Sequence, residues 1–495
     1  MIKKVLVANR GEIAVRIIHA LKEMDIKSVA IYSDVDKNAV HTQLADESIR
    51  IGPPPPLESY LNQEAIINAA LETGCDAIHP GYGFLSERYD FNQKVRDAGL
   101  IFIGANPNSM RLLGSKVQSR QIMAEAGIPI IPGMMTSTKD YQEFEDYAKK
   151  IGFPIIIKSS DGGGGKGMRI VREMKDLHSA IDTAIRESIS AFGSDAIYLE
   201  KYIENPRHIE FQVARDHFGN AIHLNERECS IQRRHQKIIE ETPSPVMTAE
   251  LRKRMGAAAI QVVNSANYDN IGTVEFLVDK DLNFYFLEVN ARVQVEHPIT
   301  ELTTGIDLVK LQINIADNQP IPYKQEDVQQ NGHAIECRIY AEDADNNFAP
   351  SPGKILYIKE PSGPGIRYDS GIDIGSEVPT FYDPILSKLI VWGSTRDEAI
   401  KRMVNALKQT VILGVKTPIN FMINVLNHTE FKAGNINTNF LSEYFSEKIE
   451  TYQDDLQIAL AAASFSENYI NYYNNISQFS KISNPWLEIG KWELF

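Results

Sequence analysis

The sequence predicts a multidomain protein that combines an α/β part, built on a Rossmann-like parallel sheet, with α+β parts farther along the chain. Its 495 residues are too many for one hydrophobic core, and about three domains are expected. Short apolar runs alternate with a helical pattern near the N-terminus, which is typical of a parallel sheet. After residue 115, paired strand-like runs joined by short glycine-rich or polar segments predict antiparallel sheets instead.

The N-terminal region, residues 1–114, has a β-α-β pattern. Residues 5–8 predict a buried strand, apolar side chains at helical spacing follow, and residues 28–32 predict the next strand. Another strand is predicted at residues 77–79, and it leads into residues 80–87, a loop with two glycines. Open α/β sheets bind ligands at the C-terminal ends of their strands, so this loop is a candidate binding loop. Its composition fits a tight turn with positive φ equally well.

A glycine-rich segment, residues 161–167, lies between strand-like runs at residues 154–158 and 168–171. Five of its last six positions are glycine, which lets backbone N–H groups surround an anion closely. Lys158 and Lys166 add positive charge, and the Gly-Lys-Ser/Thr sequence of a P-loop is absent. We interpret the segment as a flap over nucleotide phosphates. A flexible linker is the alternative interpretation.

Two strand-like runs on either side of a short polar turn predict a hairpin that carries Glu275 and Glu288. If residues 281–282 form the loop, the two carboxylates lie directly opposite each other. If residues 279–282 form it, they are diagonal neighbours on one face. Such a pair needs a cation, and Asn290 adds a third oxygen ligand, so beside a phosphate loop the pattern indicates Mg²⁺. Exposed acids on a solvated face are the alternative for the hairpin alone.

Alternate positions at the end of this hairpin are polar: Glu288, Asn290, Arg292, Gln294 and Glu296. On one continuous strand they would share a face, and a buried row of charges needs partners such as a metal and an anionic substrate. A bend after Asn290 would serve those two roles better than a continuous strand.

The charge balance limits the classes of binding partner that we expect. With 51 basic and 65 acidic residues the net charge is −14, so nucleic-acid binding is not expected, and the short basic run within residues 226–241 favours an internal anion pocket. No apolar run is long enough to span a membrane, and no signal-like segment opens the sequence. Three scattered cysteines are typical of a reducing compartment, so we expect a cytoplasmic protein.

From residue 1 to about residue 445 the chain resembles biotin carboxylases of the ATP-grasp superfamily, on four passages: residues 9–14, 79–87, 161–168 and 288–298. Within that family it is similar to the α chains of acyl-CoA carboxylases, including the methylcrotonyl-CoA type, at residues 232–241 and 431–435. The resemblance implies four regions: a Rossmann-like N-terminal domain (1–114), an ATP-grasp domain (115–330) with a mobile lid at about 131–203, an α+β biotin carboxylase C-terminal domain (331–446), and the truncated start of a linking region (447–495).

The resemblance also implies the reaction and its residues. ATP phosphorylates bicarbonate, with Mg²⁺ or Mn²⁺ as cofactor, and the carboxyphosphate supplies CO₂ to the ureido nitrogen of biotin. The implied nucleotide contacts are Lys116, Lys158, Gly162, Gly163, Gly164, Gly165, Met168, Glu200, Lys201, Ile203, His208, Gln232 and His235. The implied metal ligands are Glu275, Glu288 and Asn290, and the implied bicarbonate contacts are Lys237, Arg292, Gln294 and the Val295 backbone. By the same likeness, Glu296 is the base, Arg338 stabilises the biotin enolate, and Tyr82 and Gly83 contact biotin.

The family attaches biotin to a lysine between two methionines, and the sequence has only Met174-Lys175 in the wrong region. We therefore expect a biotin carboxyl carrier domain elsewhere, together with a carboxyltransferase subunit, in a homodimer or a larger complex. Another ATP-grasp ligase, the biotin carboxylase part of pyruvate carboxylase and a non-catalytic nucleotide-binding module are the alternatives. Lys388, in a predicted core strand, is assigned no functional role.

Overall fold

The structure is a computed structural model that describes residues 1–160 and 168–445. Residues 1–444 form one compact unit, and a second unit begins at Phe445. The predicted phosphate-binding glycines Gly162, Gly163, Gly164 and Gly165 and the predicted linking region 447–495 lie outside the described residues. Within those two ranges, no helix has both the length and the apolar character needed to cross a membrane.

The N-terminal region alternates strands and helices, in the order β1 (Lys4–Val7), α1 (Gly11–Glu23), β2 (Lys27–Ser33), α2 (Val40–Leu44), β3 (Glu47–Gly52), α3 (Gln63–Glu72), β4 (Ala77–His79), α4 (Tyr89–Asp97), β5 (Ile101–Phe102) and α5 (Pro107–Gly114). Its strands form a parallel sheet in the order β3-β2-β1-β4-β5. Leu6 and Val29 enter one core, while Val5 and Ala30 enter another. Burial on both faces explains the continuous apolar runs, and the predicted parallel sheet is confirmed.

The central region contains α6 (Lys116–Glu125), α7 (Tyr141–Ile151), β6 (Ile155–Ser159), β7 (Arg169–Val171), α8 (Leu177–Phe192), β8 (Ile197–Lys201), β9 (Arg207–Arg215), β10 (Ala221–Arg233), β11 (Gln236–Thr242), α9 (Ala249–Ser265), β12 (Asn270–Val278), β13 (Phe284–Asn290), α10 (His297–Thr304) and α11 (Leu308–Ala316). Strands β7, β6 and β8 form a small antiparallel sheet that packs with α7 and α8 around its own core, which includes Phe144, Ile157 and Leu199. This substructure occupies the segment predicted as the lid, residues 131–203.

The C-terminal region contains β14 (His333–Tyr340), β15 (Glu342–Asp343), β16 (Ala349–Pro350), β17 (Gly353–Lys354), β18 (Tyr357–Lys359), β19 (Ile366–Ser370), β20 (Glu377–Val378), β21 (Ile385–Gly393), α12 (Arg396–Gln409), β22 (Val411–Leu413), α13 (Ile419–Asn427), α14 (Thr429–Ala433) and α15 (Phe440–Tyr444). Apart from β14, β19 and β21, its strands pair in small two-stranded sheets.

The largest sheet is antiparallel and has eight strands in the order β13-β12-β9-β10-β11-β14-β21-β19. It passes across the predicted domain boundary at residue 331, because β11 pairs with β14. Helix α10 packs against β10, β11, β14 and β21, and Ile299 on this helix meets Ala334 and Ile390 on the sheet. The central and C-terminal regions therefore share one sheet, and strands from both can present side chains to one site.

Candidate active site

The β12–β13 hairpin places Glu275 directly opposite Glu288. Neither of the two predicted loops is right, because the loop spans residues 279–283. A one-residue bulge in β13 corrects the register: Phe276 pairs with Phe286, whereas Glu275 pairs with Glu288. Of the two predicted arrangements, direct opposition of the carboxylates is confirmed and the diagonal arrangement is wrong; a bulge, and not a two-residue loop, sets this register.

The two facing carboxylates and Asn290 offer a set of oxygen donors for a divalent cation. Burial raises the pKa of Glu288 and the facing Glu275 raises it further, while Lys116 acts in the opposite direction. A cation between the two acids would relieve their repulsion, so the residues fit Mg²⁺. The Asn290 amide donates to Glu275 (2.8 Å), and its oxygen accepts from Arg292 (3.0 Å). A metal ion at that oxygen would compete with Arg292.

Lys237 is brought to the site by the β10–β11 hairpin. The hairpin turns at Arg234 and His235, whose φ angles are 49° and 68°. Positive φ at both positions is typical of two-residue hairpin turns, because it matches the right-handed twist of the flanking strands. Arg233 pairs with Gln236 directly after this turn, and Gln232 pairs with Lys237 one position farther along. The basic run of the sequence is therefore the tip of a hairpin, with His235 exposed in the turn and Lys237 half-buried.

The Lys237 ammonium contacts three carboxylates, Glu210 at 2.6 Å, Glu275 at 2.9 Å and Glu296 at 2.8 Å. Burial opposes its protonation, but the surrounding acidic groups outweigh burial and raise the pKa of Lys237 well above its usual value. The lysine therefore stays charged and joins the hairpin that carries the metal-ligand candidates to Glu296.

Glu296 lies between two cations and is fully buried. Its Oε1 accepts from Lys237, and its Oε2 accepts from Arg338 Nη2 at 2.9 Å. Burial alone would raise the pKa of Glu296, but Lys237 and Arg338 hold it well below the ordinary value. Arg338 also donates from Nε to Glu240 at 2.6 Å. Glu296 is thus an ionised carboxylate that is itself shielded from solvent and held by two cations.

The row of alternating polar residues is not one continuous strand. Strand β13 ends at Asn290, and Glu296 is the N-cap residue of α10. Between them, Arg292 donates to Glu87 Oε2 at 3.0 Å and to Gln294 Oε1 at 2.7 Å. The expectation of a single shared face is wrong, and the predicted bend after Asn290 is confirmed. After the bend, Arg292 and Gln294 still contact the metal-ligand candidates: Arg292 donates to Asn290 at 3.0 Å, and the Gln294 amide donates to Glu275 at 3.3 Å.

On the lid, Lys158 in β6 pairs with Glu200 in β8 at 2.6 Å. Arg120 of α6 donates to the same carboxylate and also to the Ile131 carbonyl oxygen. The Lys201 ammonium donates to the carbonyl oxygens of residues 152 and 153, so its side chain is engaged within the lid. The Glu200 carboxylate is likewise occupied by cations. The backbone is held here as well, because the N–H groups of Lys201 and Tyr202 donate to the carbonyl oxygens of Pro132 and Pro154.

The remaining residues predicted to contact the nucleotide are spread around the lid and the large sheet. Lys116 begins α6, Met168 precedes β7, and Ile203 follows β8; all three are half-buried. His208 and Gln232 are buried side by side, with His208 Nε2 at 3.0 Å from Glu275 Oε2. Burial disfavours the charged form of His208, but Glu275 outweighs burial and raises its pKa.

The loop after β4 holds Tyr82 and Gly83. Gly81 and Gly83 have φ angles of 63° and 68°, so the tight-turn interpretation of this segment is confirmed. The Asn9 amide donates to the carbonyl oxygens of Pro80 and Tyr82 at 2.8 and 2.7 Å. The Tyr82 hydroxyl donates to Glu12 in α1. The turn is therefore held by two side chains of the first region, Asn9 on its backbone and Glu12 on the Tyr82 hydroxyl.

Family models cover nearly all of the described chain. The model described as "Biotin carboxylase, N-terminal domain" matches residues 1–110, and "Biotin carboxylase C-terminal domain" matches residues 336–443. "Carbamoyl-phosphate synthase L chain, ATP binding domain" matches residues 115–324 between them. A pyruvate carboxylase subunit of Methanothermobacter thermautotrophicus is 51% identical over 444 residues, which cover 90% of each chain. The chain belongs to the biotin carboxylase family.

Other biotin carboxylases extend this relation. The α subunit of methylcrotonoyl-CoA carboxylase from Rattus norvegicus is 45% identical over 452 residues, which are 91% of this chain and 63% of that one. The biotin carboxylase domain of Hydrogenobacter thermophilus 2-oxoglutarate carboxylase, solved with MgADP, ADP and bicarbonate, has a TM-score of 0.88 at 46% identity; the match covers 91% of this chain and all of that one. The chain is an ATP-dependent biotin carboxylase, a ligase that uses bicarbonate and carrier-linked biotin.

Several residues of this biotin carboxylase site were not predicted: the buried Glu12, Glu210, Arg227, Glu240 and Lys388, and the exposed Glu87. Arg227 is fully buried and donates to Glu210 at 2.5 Å and to Gln212 at 2.7 Å. For those on strands, the sequence signal is a charged residue inside a strand pattern, which a solvated face would also produce; Glu12 lies in α1 and Glu87 in a loop, and neither carries that signal. Lys388, assigned no role from its strand pattern, is fully buried and contacts the site.

Proposed function

We propose that Glu296 is the base of the bicarbonate-activating step and that Lys237, Arg292, Gln294 and the Val295 N–H hold bicarbonate beside it. The observation that carries this proposal is the Glu296 carboxylate, fully buried between the Lys237 and Arg338 cations. A carboxylate kept ionised in a dry site can take a proton without first having to lose one. The planar Arg292 guanidinium and the Gln294 amide suit a planar oxyanion.

The proposed chemistry starts with proton transfer from the bicarbonate O–H to Glu296. The bicarbonate oxygen then attacks the γ-phosphorus of ATP, the bond to the ADP oxygen breaks, and carboxyphosphate forms. Lys237 stays charged and offsets the negative charge of the transferring phosphoryl group. The bond in carboxyphosphate between the carboxyl carbon and the oxygen on phosphorus then breaks to give CO₂ and phosphate, the phosphate takes the proton of the biotin ureido nitrogen, and that nitrogen attacks CO₂. Arg338 stabilises the ureido oxygen that becomes negative in this step.

We assign Mg²⁺ or Mn²⁺ to the oxygens of Glu275, Glu288 and Asn290. A bound metal would draw charge from the phosphate oxygens. The metal assignment is supported by the directly opposed carboxylate pair and by its position beside Lys237. For the nucleotide, we propose that the lid, residues 131–203, closes over ATP, with Lys116, Lys158 and Met168 at its phosphates and base. The Glu200 carboxylate would hold Lys158 until the nucleotide binds.

We further propose that this biotin carboxylase works with a biotin carboxyl carrier domain and a carboxyltransferase subunit of an acyl-CoA carboxylase, as a homodimer or within a larger complex. The chain is similar to subunits named for acyl-CoA carboxylases and for pyruvate carboxylase, and this supports the half-reaction that they share. Pyruvate is therefore the second candidate for the final acceptor of the carboxyl group. The proposed cytoplasmic location rests on the cysteines, which are all free.

The test measures ATP hydrolysis by the full chain with Mg²⁺, with and without bicarbonate and with and without free biotin. We expect hydrolysis to require bicarbonate and to rise when biotin is added. The Glu296→Gln variant should lose carboxylation by at least about a hundredfold and keep its MgATP affinity, because only the proton acceptor is removed. Hydrolysis without biotin stimulation would favour another ATP-grasp ligase. Carboxylation at the parental rate by Glu296→Gln would refute the role of the base.

A further inference from the structure

Lys388 is fully buried in β21 and contacts the loop that carries the bicarbonate residues. Its ammonium donates to the Val295 carbonyl oxygen at 2.8 Å. That carbonyl belongs to the peptide group that leads directly into Glu296, so fixing it also fixes the backbone of the proposed base. Lys388 lies opposite Arg338 in the β14–β21 pairing, on the strand next to the site.

The same ammonium pairs with the first domain. Glu12 of α1 places its Oε2 at 3.3 Å from Lys388 Nζ, and both side chains are fully buried. The other oxygen of Glu12 accepts from the Tyr82 hydroxyl. Burial raises the pKa of Tyr82 well above its usual value, and the Glu12 charge raises it further, so the hydroxyl keeps its proton and remains the donor. A continuous chain of polar contacts thus joins Tyr82 to Val295.

The backbone around this chain of contacts leaves little room for adjustment. A Cβ at Gly371, next to β19, would lie 2.5 Å from the backbone nitrogen of Glu12, so the start of α1 lies directly against the C-terminal region. Asp369, the only other carboxylate within 4.0 Å of the Lys388 ammonium in the described chain, is 3.9 Å away and is held by two bonds from Arg367. Removing one partner of such a buried pair leaves an uncompensated charge, so the contact between Glu12 and Lys388 is costly to break.

We propose that Glu12 and Lys388 are positioning residues that couple the two substrate subsites: Lys388 fixes the Val295–Glu296 backbone at the bicarbonate site, and Glu12 fixes Tyr82 at the biotin site. The inference rests on the proposed function, because Val295 and Tyr82 are the residues assigned to bicarbonate and to biotin. A ligand that displaces Tyr82 therefore changes the position of the Val295 backbone, and a ligand that displaces Val295 changes the position of Tyr82. By thermodynamic linkage the effect on binding is reciprocal.

The test uses ATP hydrolysis without biotin, which reports on the bicarbonate site alone, in the full 495-residue chain. Lys388→Met should raise the KM for bicarbonate about tenfold, as loss of one charged hydrogen bond predicts. Tyr82→Phe deletes only the hydroxyl that meets Glu12. It should nevertheless raise the bicarbonate KM about twofold to threefold in the absence of biotin. Glu12→Gln should raise the bicarbonate KM in this assay and the biotin KM in a separate assay of biotin carboxylation.

Glu241→Gln is the matched control. Glu241 is also buried in an ion pair, with Arg396 at 2.7 Å, and it lies one residue from Glu240 in β11, hence on the opposite face of the sheet. This variant should lower the unfolding temperature and leave the bicarbonate KM unchanged. If Lys388→Met does not fold, as circular dichroism would show, Tyr82→Phe and Glu12→Gln decide the question.

A parental bicarbonate KM in both Tyr82→Phe and Glu12→Gln overturns the coupling, even if the biotin KM changes. If the unmodified chain shows no bicarbonate-dependent hydrolysis, the proposed function fails and the coupling fails with it. The two failures are therefore distinguished by the rate of the unmodified chain.

Discussion

At the scale of single residues, the site is governed by how buried charges are shared. Lys237 meets three carboxylates, while Arg338 meets two, Glu296 and Glu240. These cations keep the pKa of Glu296 far below neutrality, whereas burial raises the pKa of Glu240 to about 7 against the opposing effect of Arg338. Two acids that contact the same guanidinium thus have pKa values shifted in opposite directions. This difference fits the proposal that Glu296 is the base and that Glu240 only holds Arg338 in place.

The first prediction concerns Glu240. Below pH 7 this carboxyl group takes up a proton and loses its charge, so Arg338 is then held by Glu296 alone. Biotin carboxylation should therefore fall as the pH drops through about 7, while Glu296 stays ionised. Glu240→Gln should carboxylate about tenfold more slowly at pH 8 and lose this pH step, because it resembles the protonated acid at every pH.

The measurement is the rate of biotin carboxylation from pH 6 to pH 8.5, with Glu241→Gln as the control that keeps the step. The other charged groups that face Glu240, namely Lys237 and the buried Glu336 across the sheet, are unchanged in both variants. A Glu240→Gln enzyme with the parental pH profile would contradict the assignment.

At the scale of secondary structure, local patterns predicted the strands and the partner within a hairpin such as β12–β13, but not the pairing of strands far apart in sequence. Residues 77–79 were predicted as a strand and form β4, because a short apolar run between turn signals carries that information locally. The pairing of β11 with β14 and of β14 with β21 joins segments far apart in sequence, and no periodicity encodes it. For this reason Arg338 could be placed near Glu296 only by resemblance, and Lys388 was missed.

The second prediction tests an ion pair that joins β11 to α12. Arg396 of α12 donates to Glu241 at 2.7 and 2.9 Å, and His333 lies 2.7 Å from the same carboxylate. Burial would raise the pKa of Glu241, but these hydrogen bonds lower it to about 2. A depressed acid pKa contributes stability above the unfolded-state value of about 4.5 and loses it as the pH falls towards 2.

Glu241→Gln should therefore lower the free energy of unfolding by about 3 kcal/mol at pH 7. The difference from the parent should narrow by about 1 kcal/mol between pH 6 and pH 4, because the unfolded parent begins to bind a proton there. Urea unfolding at these pH values measures both quantities. A difference that stays constant across this range would show that the pair does not shift the pKa of Glu241.

At the scale of the whole molecule, the site draws on all three described regions. The loop with Tyr82 comes from the first region, Glu275, Glu288 and Glu296 from the second, and Arg338 from the third, reached through one continuous sheet. The predicted boundaries at residues 114 and 330 divide the chain into consecutive segments, but the large sheet continues across residue 330. Domain boundaries proposed from sequence thus describe segments, while the site belongs to the compact unit of residues 1–444.

The last prediction follows from that continuity. A protein that ends at residue 330 keeps Glu275, Glu288 and Glu296, yet it loses β14, β21 and β19, so the central sheet would end at β11 with an unpaired edge. Exposed edges of this length favour aggregation, and Glu296 would lose Arg338. We expect this fragment to lack both cooperative unfolding and bicarbonate-dependent ATP hydrolysis.

A protein of residues 1–445 is the matched control, because it keeps every described contact of the site and should hydrolyse ATP with bicarbonate. Activity in the shorter fragment would show that the ATP and bicarbonate chemistry is complete without the C-terminal strands.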